Sequence, residues 1–450
     1  MHKICVQLVI QALAFIWLLT VLAITASSAH GNETYTLDNG LEVTLIDAPG
    51  AKLAAIVVLY DIGGDHDPPG KSGLTHVLEH IYVTAATDQQ EARDVQEYVQ
   101  QYPAGWNAQT GAQYTIIATV FGNDRLEHEL RDAAARMHNL RIAPSDLNRE
   151  VPRVIEEVSN MFEGHPQLSA FNNGIELVRP SLHSGRRSGA PDQVRNITLT
   201  DLKTFYKNHY RPVNARLIIA AANVNRLRPL IEAMFATIES GTNIGSIPPR
   251  PKPAHDINEV ITVRASRAPA ALPSAAVVAL RSPPVNDDAY ATFLIVAGRL
   301  FLSSDMMTAA PKASVQYPIM DAPETLVITT TVRDGETIEH ARSRVDALVH
   351  SALHDPVTPQ DAAWVETNFG QMLGLTTIHP MMTAQNPYFS AFVTGRQAQM
   401  GVDGNTLRQQ LRGVSDEELA ALRDWINANT AQARLNVIPG IKAPRDTDHR

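Results

Sequence analysis

The sequence predicts an α+β fold of two homologous sandwich domains, each a mainly antiparallel sheet with helices packed on one face. Three observations carry this expectation. Strand-like alternation and helix-like periodicity are interleaved within the first half rather than segregated. A proline-rich stretch, GTNIGSIPPRPKPAHD at 241–256, reads as a semi-rigid linker between two pieces. The order of elements then recurs on its two sides. Near the end of the first piece, TLTDLKTFYKNHY precedes NARLIIA; near the end of the second, VSDEELAALRDWI precedes QARLNVIPGI. Ala215-Arg216-Leu217 and Ala433-Arg434-Leu435 are offset by 218 positions, which points to a duplicated domain. The expected domains are 30–240 and 257–445, an ordinary size for each.

Taken in order, Met1, His2 and Lys3 precede an almost uncharged apolar segment, Ile4–Ala26, that runs into Ser27-Ser28-Ala29. Small residues at the −3 and −1 positions suit a signal peptidase, so a signal peptide cleaved after Ala29 and a secreted or periplasmic product are expected. The segment is also long enough to cross a bilayer, which leaves an uncleaved N-terminal anchor as the alternative. Gln7 and Gln11 interrupt it and favour cleavage, after which no stable membrane span would remain. Cys5 is the single cysteine, so the mature chain would have neither disulfides nor thiolate ligands. Loss of residues 1–29 removes Lys3 and no acid, taking the net charge from −9 to −10. Such a chain repels phosphate backbones, and nucleic acid is not an expected partner.

Beyond this segment, ETYTLDNGLEVTLIDAP alternates apolar and polar residues around Asn39-Gly40, a hairpin signal. Strands are predicted at Ala54–Tyr60 and Tyr114–Val120, and helices near 72–85, 88–101, 124–140, 148–162 and 199–207. The second half opens on an apolar strand candidate, Ala275–Leu280, as the first opens on Leu53–Tyr60.

The chemistry concentrates in His76-Val77-Leu78-Glu79-His80, which follows the turn-like PPGKSG at 68–73. On a helix, positions 76 and 80 lie one turn apart on the same face, so both imidazoles can reach one ion. Glu79 is offset from that pair and better placed to take a proton from water at the metal. Leu74, Val77, Leu78 and Ile81 form an apolar stripe beside it, as a buried helix requires. Two imidazoles leave a zinc site open, and catalytic sites commonly add one more protein ligand.

GKSGLTHVLEH at 70–80 resembles the active-site helix of the M16 peptidases, the pitrilysin and insulin-degrading-enzyme family, whose zinc signature inverts the usual order. The resemblance implies a third ligand, a glutamate on a downstream helix, seven positions after another glutamate in an Arg-Glu-Val context. Arg149-Glu150-Val151 is followed at that spacing by Glu157, with 76 residues between His80 and Glu157. Glu157 is thus the implied ligand to Zn2+ and Glu150 a supporting carboxylate; Glu156 is the local competitor, turned roughly 100° away on a helix. GWNAQTGAQYTIIATV at 105–120 is similar to the family's Asn-Ala-x-Thr segment leading into an edge strand. By that likeness Asn107 and the backbone around Ala108 would touch a peptide added to the sheet, although Asn107 could equally form only a turn.

Two departures stand out. Pro152 lies between Glu150 and Glu157, so the helix is expected either to begin near Asn148 or Glu150 or to kink. In the second half, active family members carry an Arg and, seven residues later, a Tyr. Tyr317 fits the tyrosine as oxyanion donor, but Ala310 stands seven residues earlier, and neither Lys312 nor Arg299 keeps the spacing. The second half also has no HxxEH. With the expected signal peptide, the resemblance therefore implies an exported zinc endopeptidase or oligopeptidase acting on peptides or unfolded polypeptides. A second M16-like chain would pair with it and supply the missing Arg, or two copies would form a homodimer. The alternative is a non-catalytic peptide-binding or assembly subunit of the same family.

Overall fold

The computed structural model describes residues 32–182, 188–245, 247, 250–304 and 312–440. The expected signal segment with Cys5 and Ala29, the linker residues Pro248 and Pro249, and Ala310 lie outside the described residues.

The first sheet has six strands in the order β1-β2-β6-β3-β5-β4. They are β1 (Glu33–Thr36), β2 (Glu42–Asp47), β3 (Leu53–Tyr60), β4 (Trp106–Thr110), β5 (Thr115–Gly122) and β6 (Ala215–Ala221). All neighbours pair antiparallel except β2 with β6. The second sheet has the order β7-β11-β8-β10-β9, formed by β7 (Val260–Ala265), β8 (Ala275–Arg281), β9 (Ser314–Gln316), β10 (Thr325–Thr331) and β11 (Gln432–Pro439). Its one parallel pair is β7 with β11. Apart from the added hairpin strand β1, the two sheets share one topology, each with its parallel pair toward one edge. The repeated Ala-Arg-Leu tripeptides open β6 and lie within β11, the parallel partner in each sheet.

Central strands are apolar throughout because both of their faces are covered. In β3, Ile56, Val58 and Tyr60 enter the core shared with the helices of the first half, while Val57 and Leu59 point the other way. In β8, Val278 and Leu280 enter the second-half core and Val277 and Ala279 face the opposite side. That opposite side is covered by a helix from the other half. Helix Pro166–Val178 lies on β8, β10 and β11, and helix Pro387–Met400 lies on β3, β5 and β6. Each crossing helix carries a glycine where it meets the sheet: a Cβ on Gly174 would stand 3.2 Å from that of Ala279, and one on Gly395 would stand 2.8 Å from Cδ1 of Ile218. The reciprocal exchange binds the halves together independently of the linker.

Some boundaries differ from the sequence reading. The helix expected over 88–101 occupies only Val95–Gln101, because Asp94 and Glu97 form a reciprocal capping box that starts it late. The helix expected over 148–162 runs from Pro144 to Ser159 and contains Pro152 in its interior. Pro152 is exposed, as is Asn148 one turn earlier, so the carbonyl that loses its partner can be hydrated. The edge strand is β4 itself, so Asn107 and Ala108 lie on the edge rather than ahead of it.

Candidate metal centre

Helix Leu74–Thr84 presents two faces with different duties. Leu74, Val77, Leu78 and Ile81 are fully buried in the first-half core, and they orient His76, Glu79 and His80 toward a cavity. The start of the helix is fixed by Asp67, whose carboxylate accepts the backbone N–H groups of Gly73 at 2.6 Å and Thr75 at 2.8 Å. Gly73 has φ +93°, and a Cβ there would stand 2.9 Å from Cα of Gly189. That close approach brings the Ser188 carbonyl to within 2.9 Å of His76 Nδ1.

The facing helix, Pro144–Ser159, supplies two carboxylates. His80 Nδ1 donates to Glu150 Oε2 at 3.3 Å, and His80 Nε2 is 3.5 Å from Glu157 Oε2. His76 Nε2 is 3.8 Å from Glu157 Oε1. With Nδ1 of each histidine committed to an oxygen acceptor, both Nε2 atoms turn toward the same point as the Glu157 carboxylate. The donor atoms of these three residues lie within 4.8 Å of one another. Ligands about 2.0–2.1 Å from a tetrahedral zinc stand about 3.3–3.4 Å apart, so two imidazoles and a carboxylate at these separations fit the ion with little movement. Glu156 is turned to the far side, where its carboxylate pairs with Arg267 Nη2 at 2.9 Å, leaving Glu157 as the inward residue.

Electrostatics follow from this crowding. Burial works against the charge on Glu150, yet hydrogen bonds from His80 and Arg149 and the nearby Arg153 hold its pKa down to about 2. Burial also opposes a charged His80, but Glu150, Glu157 and the charge on Glu79 outweigh it and raise its pKa to about 10. A hydrogen bond from His80 leads the causes that lower Glu157. A cation bound at His80 Nε2 therefore competes with a proton, and acid must weaken it.

The cavity around these groups has a volume of about 530 Å³. Val83, Val95, Trp106, Met161, Leu168 and Phe171 supply its apolar lining, and the second half contributes Asp321. Ala108 lines it as well, but Asn107 does not. The period of two along β4 turns Asn107 to the other side of the sheet, where its amide donates to the Tyr388 hydroxyl at 3.1 Å.

Tyr317 is not among the described residues that line the cavity. Its hydroxyl donates to the Pro323 carbonyl at 2.8 Å and meets the Tyr290 hydroxyl at 2.7 Å, against the second-half core. Burial first, then the neighbouring Tyr290, pushes its pKa well above the usual phenol value. Arg299 is buried too, and its guanidinium is spent on Asp361 and the carbonyls of Ala352, Asp355 and Pro356. Neither is presented to the metal site. Sequence reasoning overlooked Asp67, Thr110, Ser188 and Asp321. Of these, only Thr110 left a local signal, since it closes the Asn-Ala-x-Thr segment and follows Ala108 at the strand period.

Residues 42–176 match the Insulinase (Peptidase family M16) family, and residues 196–309 match the Peptidase M16 inactive domain. The chain is 27% identical over 214 residues to a probable mitochondrial-processing peptidase subunit beta of Arabidopsis thaliana, covering 46% of this chain and 38% of that one. It is 27% identical, again over 214 residues, to the zinc protease PqqE of Helicobacter pylori, covering 46% of this chain and 48% of that one. The chain thus spans less than half the length of these curated relatives. A protease from Helicobacter pylori has a similar fold, with a TM-score of 0.73 at 17% identity over 91% of this chain and 100% of that one. Pitrilysin gives 0.61 at 17% identity over 95% of this chain and 47% of that one.

Proposed function

Because the chain belongs to peptidase family M16, we propose that it is an exported zinc-dependent endopeptidase or oligopeptidase acting on peptides or unfolded polypeptides. The observation that carries the reading is the convergence of His76 Nε2, His80 Nε2 and a Glu157 oxygen, with Glu79 alongside. Zinc held there would supply Lewis acidity toward water and toward a peptide carbonyl. Glu79 then receives the proton of the attacking water and can return it to the leaving amine. Glu150 and the Ser188 carbonyl hold the two imidazoles in the required tautomer. Among the described residues β4 pairs only with β5, which leaves its outer edge for an extended peptide laid across the cavity. The apolar lining favours a bulky apolar substrate side chain there. Export is supported by the apolar segment Ile4–Ala26, and among the described residues no helix is long and apolar enough to cross a membrane.

Among the described residues, the second half contributes Asp321 to the cavity and no oxyanion donor, since Tyr317 is held elsewhere. This supports a paired assembly in which a second M16-like chain, or a second copy, completes the site. It also favours, as the second reading, a non-catalytic peptide-binding subunit.

Metal analysis and cleavage of unfolded peptides test these readings on the purified protein, with and without co-purifying chains. We expect one zinc per chain, near-complete loss of zinc in His76→Ala, and retained zinc without turnover in Glu79→Gln. Full zinc occupancy in His76→Ala would remove the ligand assignment. Zinc without turnover in any assembly would leave the binding-subunit reading standing.

A further inference from the structure

Glu79 has one described partner. The Thr110 hydroxyl donates to its Oε2 at 2.9 Å, while no described residue hydrogen-bonds Oε1. Thr110 is the last residue of β4, the edge strand that forms one wall of the metal cavity. Its place is fixed from several directions. It pairs with Thr115 on β5. The next residue, Gly111, accepts the Gly64 N–H at 3.0 Å, and its own N–H donates to the Tyr114 carbonyl at 2.8 Å. A Cβ on Gly63 would stand within 3 Å of this backbone, so the two segments are in direct contact. Asp67 links that turn to the helix: its N–H donates to the Gly64 carbonyl at 3.3 Å, and its carboxylate accepts the N–H and the hydroxyl of Thr75, one residue before His76. The end of β4 and the start of the His76 helix are therefore braced against each other through the Gly63–Gly64 turn.

We propose that Thr110 is a positioning residue whose hydroxyl commits one oxygen of Glu79, so that the other faces the cavity, and thereby ties the base to the strand on which a peptide lies. The inference rests on the peptidase reading above. A glutamate side chain has three rotatable bonds, and in a cavity of about 530 Å³ its carboxylate would otherwise sample several orientations. A hydroxyl on a braced strand removes that freedom before substrate arrives. Because the same strand offers its open edge to the peptide, substrate and base share one frame.

Thr110→Val keeps the shape and deletes the donor, Thr110→Ala deletes it without a second branch, and Thr110→Ser restores it. The readouts are zinc content, kcat and KM for an internally quenched unfolded peptide, and crystal structures of the variants. With the assembly that shows activity, Val and Ala should lower kcat about 10- to 100-fold, with KM and zinc content within about threefold of the parent, and Ser should recover most of the loss. The Glu79 carboxylate should leave its position beside β4 in the Val and Ala structures. Parental kcat in Val, a Ser variant as slow as Val, or a Glu79 side chain that stays in place without the hydroxyl would overturn the proposal. If the zinc-loaded parent cleaves nothing in any assembly, the peptidase reading fails on its own, and the Glu79 orientation in the variant structures still decides what Thr110 does.

Discussion

Glu150 and Glu157 lie on one helix face, but they do different work. Glu157 offers its oxygens to both Nε2 atoms, whereas Glu150 is buried behind His80 and contacts only Nδ1 of that ring. Glu150→Gln should therefore retain the ligand set yet weaken zinc binding about 10- to 100-fold, read from competition with a chelator of known affinity. An unchanged affinity would mean that the carboxylate does not orient the ring. A second charged residue, Arg299, holds the second half together through Asp361 at 2.8 Å, with both side chains about nine-tenths buried. Burial raises the pKa of Asp361, but the hydrogen bonds from Arg299 and the Thr358 backbone outweigh it and lower the net value. A lowered pKa means the contribution to stability is present above the ordinary carboxylate pKa of about 3.9 and fades as pH falls through the folded value. Asp361→Asn should thus cost about 3 kcal/mol at neutral pH, and the gap from the parent should shrink below about pH 4. Urea unfolding of both proteins at pH 7, 4 and 3 measures it, and a gap independent of pH would show that the charge is not what matters.

The two crossing helices are the elements that make one body from two similar sheets. Helix Pro166–Val178 buries Ala170, Ile175 and Val178 on the second sheet, and helix Pro387–Met400 buries Ala391 on the first. Gly174 faces the Cβ of Ala279, which cannot move without its strand, and the Cγ atoms of Val327 at 3.4 Å. Gly395 instead faces the far end of Ile218, a side chain that can rotate. An alanine gains about 1 kcal/mol of helix propensity over glycine at either site. At Gly395 that gain should offset the contact, leaving Gly395→Ala within about 1 kcal/mol of the parent. Gly174→Leu should lose about 1–3 kcal/mol through overpacking against the strand. Denaturant midpoints compare them, and a neutral Gly174→Leu would show that this helix is not seated closely on the sheet.

For the molecule as a whole, the halves are alike in topology and unlike in chemistry. The first carries the His76–His80 helix; the second carries Tyr290–Ser303 after the corresponding strand, with no HxxEH and with Arg299 turned into structure. Its described contribution to the cavity is Asp321. Loss of one oxyanion donor commonly costs about 100- to 1,000-fold in rate, so the zinc-loaded chain alone should be slow until a second M16-like chain or a second copy joins it. Rates for the isolated chain and the reconstituted assembly check this, and a rate indifferent to any partner would refute it. In a heteromer, mutating the partner's equivalent Arg should abolish the gain, while Ala310→Arg should recover part of it in this chain.

The duplicated α+β plan, and the residues proposed here as metal ligands and base, were readable from local pattern. A histidine pair one helical turn apart needs only backbone periodicity to share a face, and the downstream glutamate pair followed from its resemblance to a known spacing. Strand apolarity likewise announced the two sheets. The tertiary structure alone decided which way each side chain of that plan would turn. β4 proved to be the edge itself, and Asn107 lies on the face away from the candidate metal site while Ala108 and Thr110 line the cavity. Tyr317 fitted the tyrosine of the resemblance without its Arg, but a buried phenol needs an acceptor, and the one it found is the Pro323 carbonyl, with the Tyr290 hydroxyl beside it. The exchanged helices left no period that names their partner, since an apolar face specifies burial but not the sheet that buries it. Local sequence fixes which residues share a face, because backbone geometry is local. Which surface that face meets depends on contacts between residues far apart in the chain, such as Gly174 with Ala279 and Thr110 with Glu79.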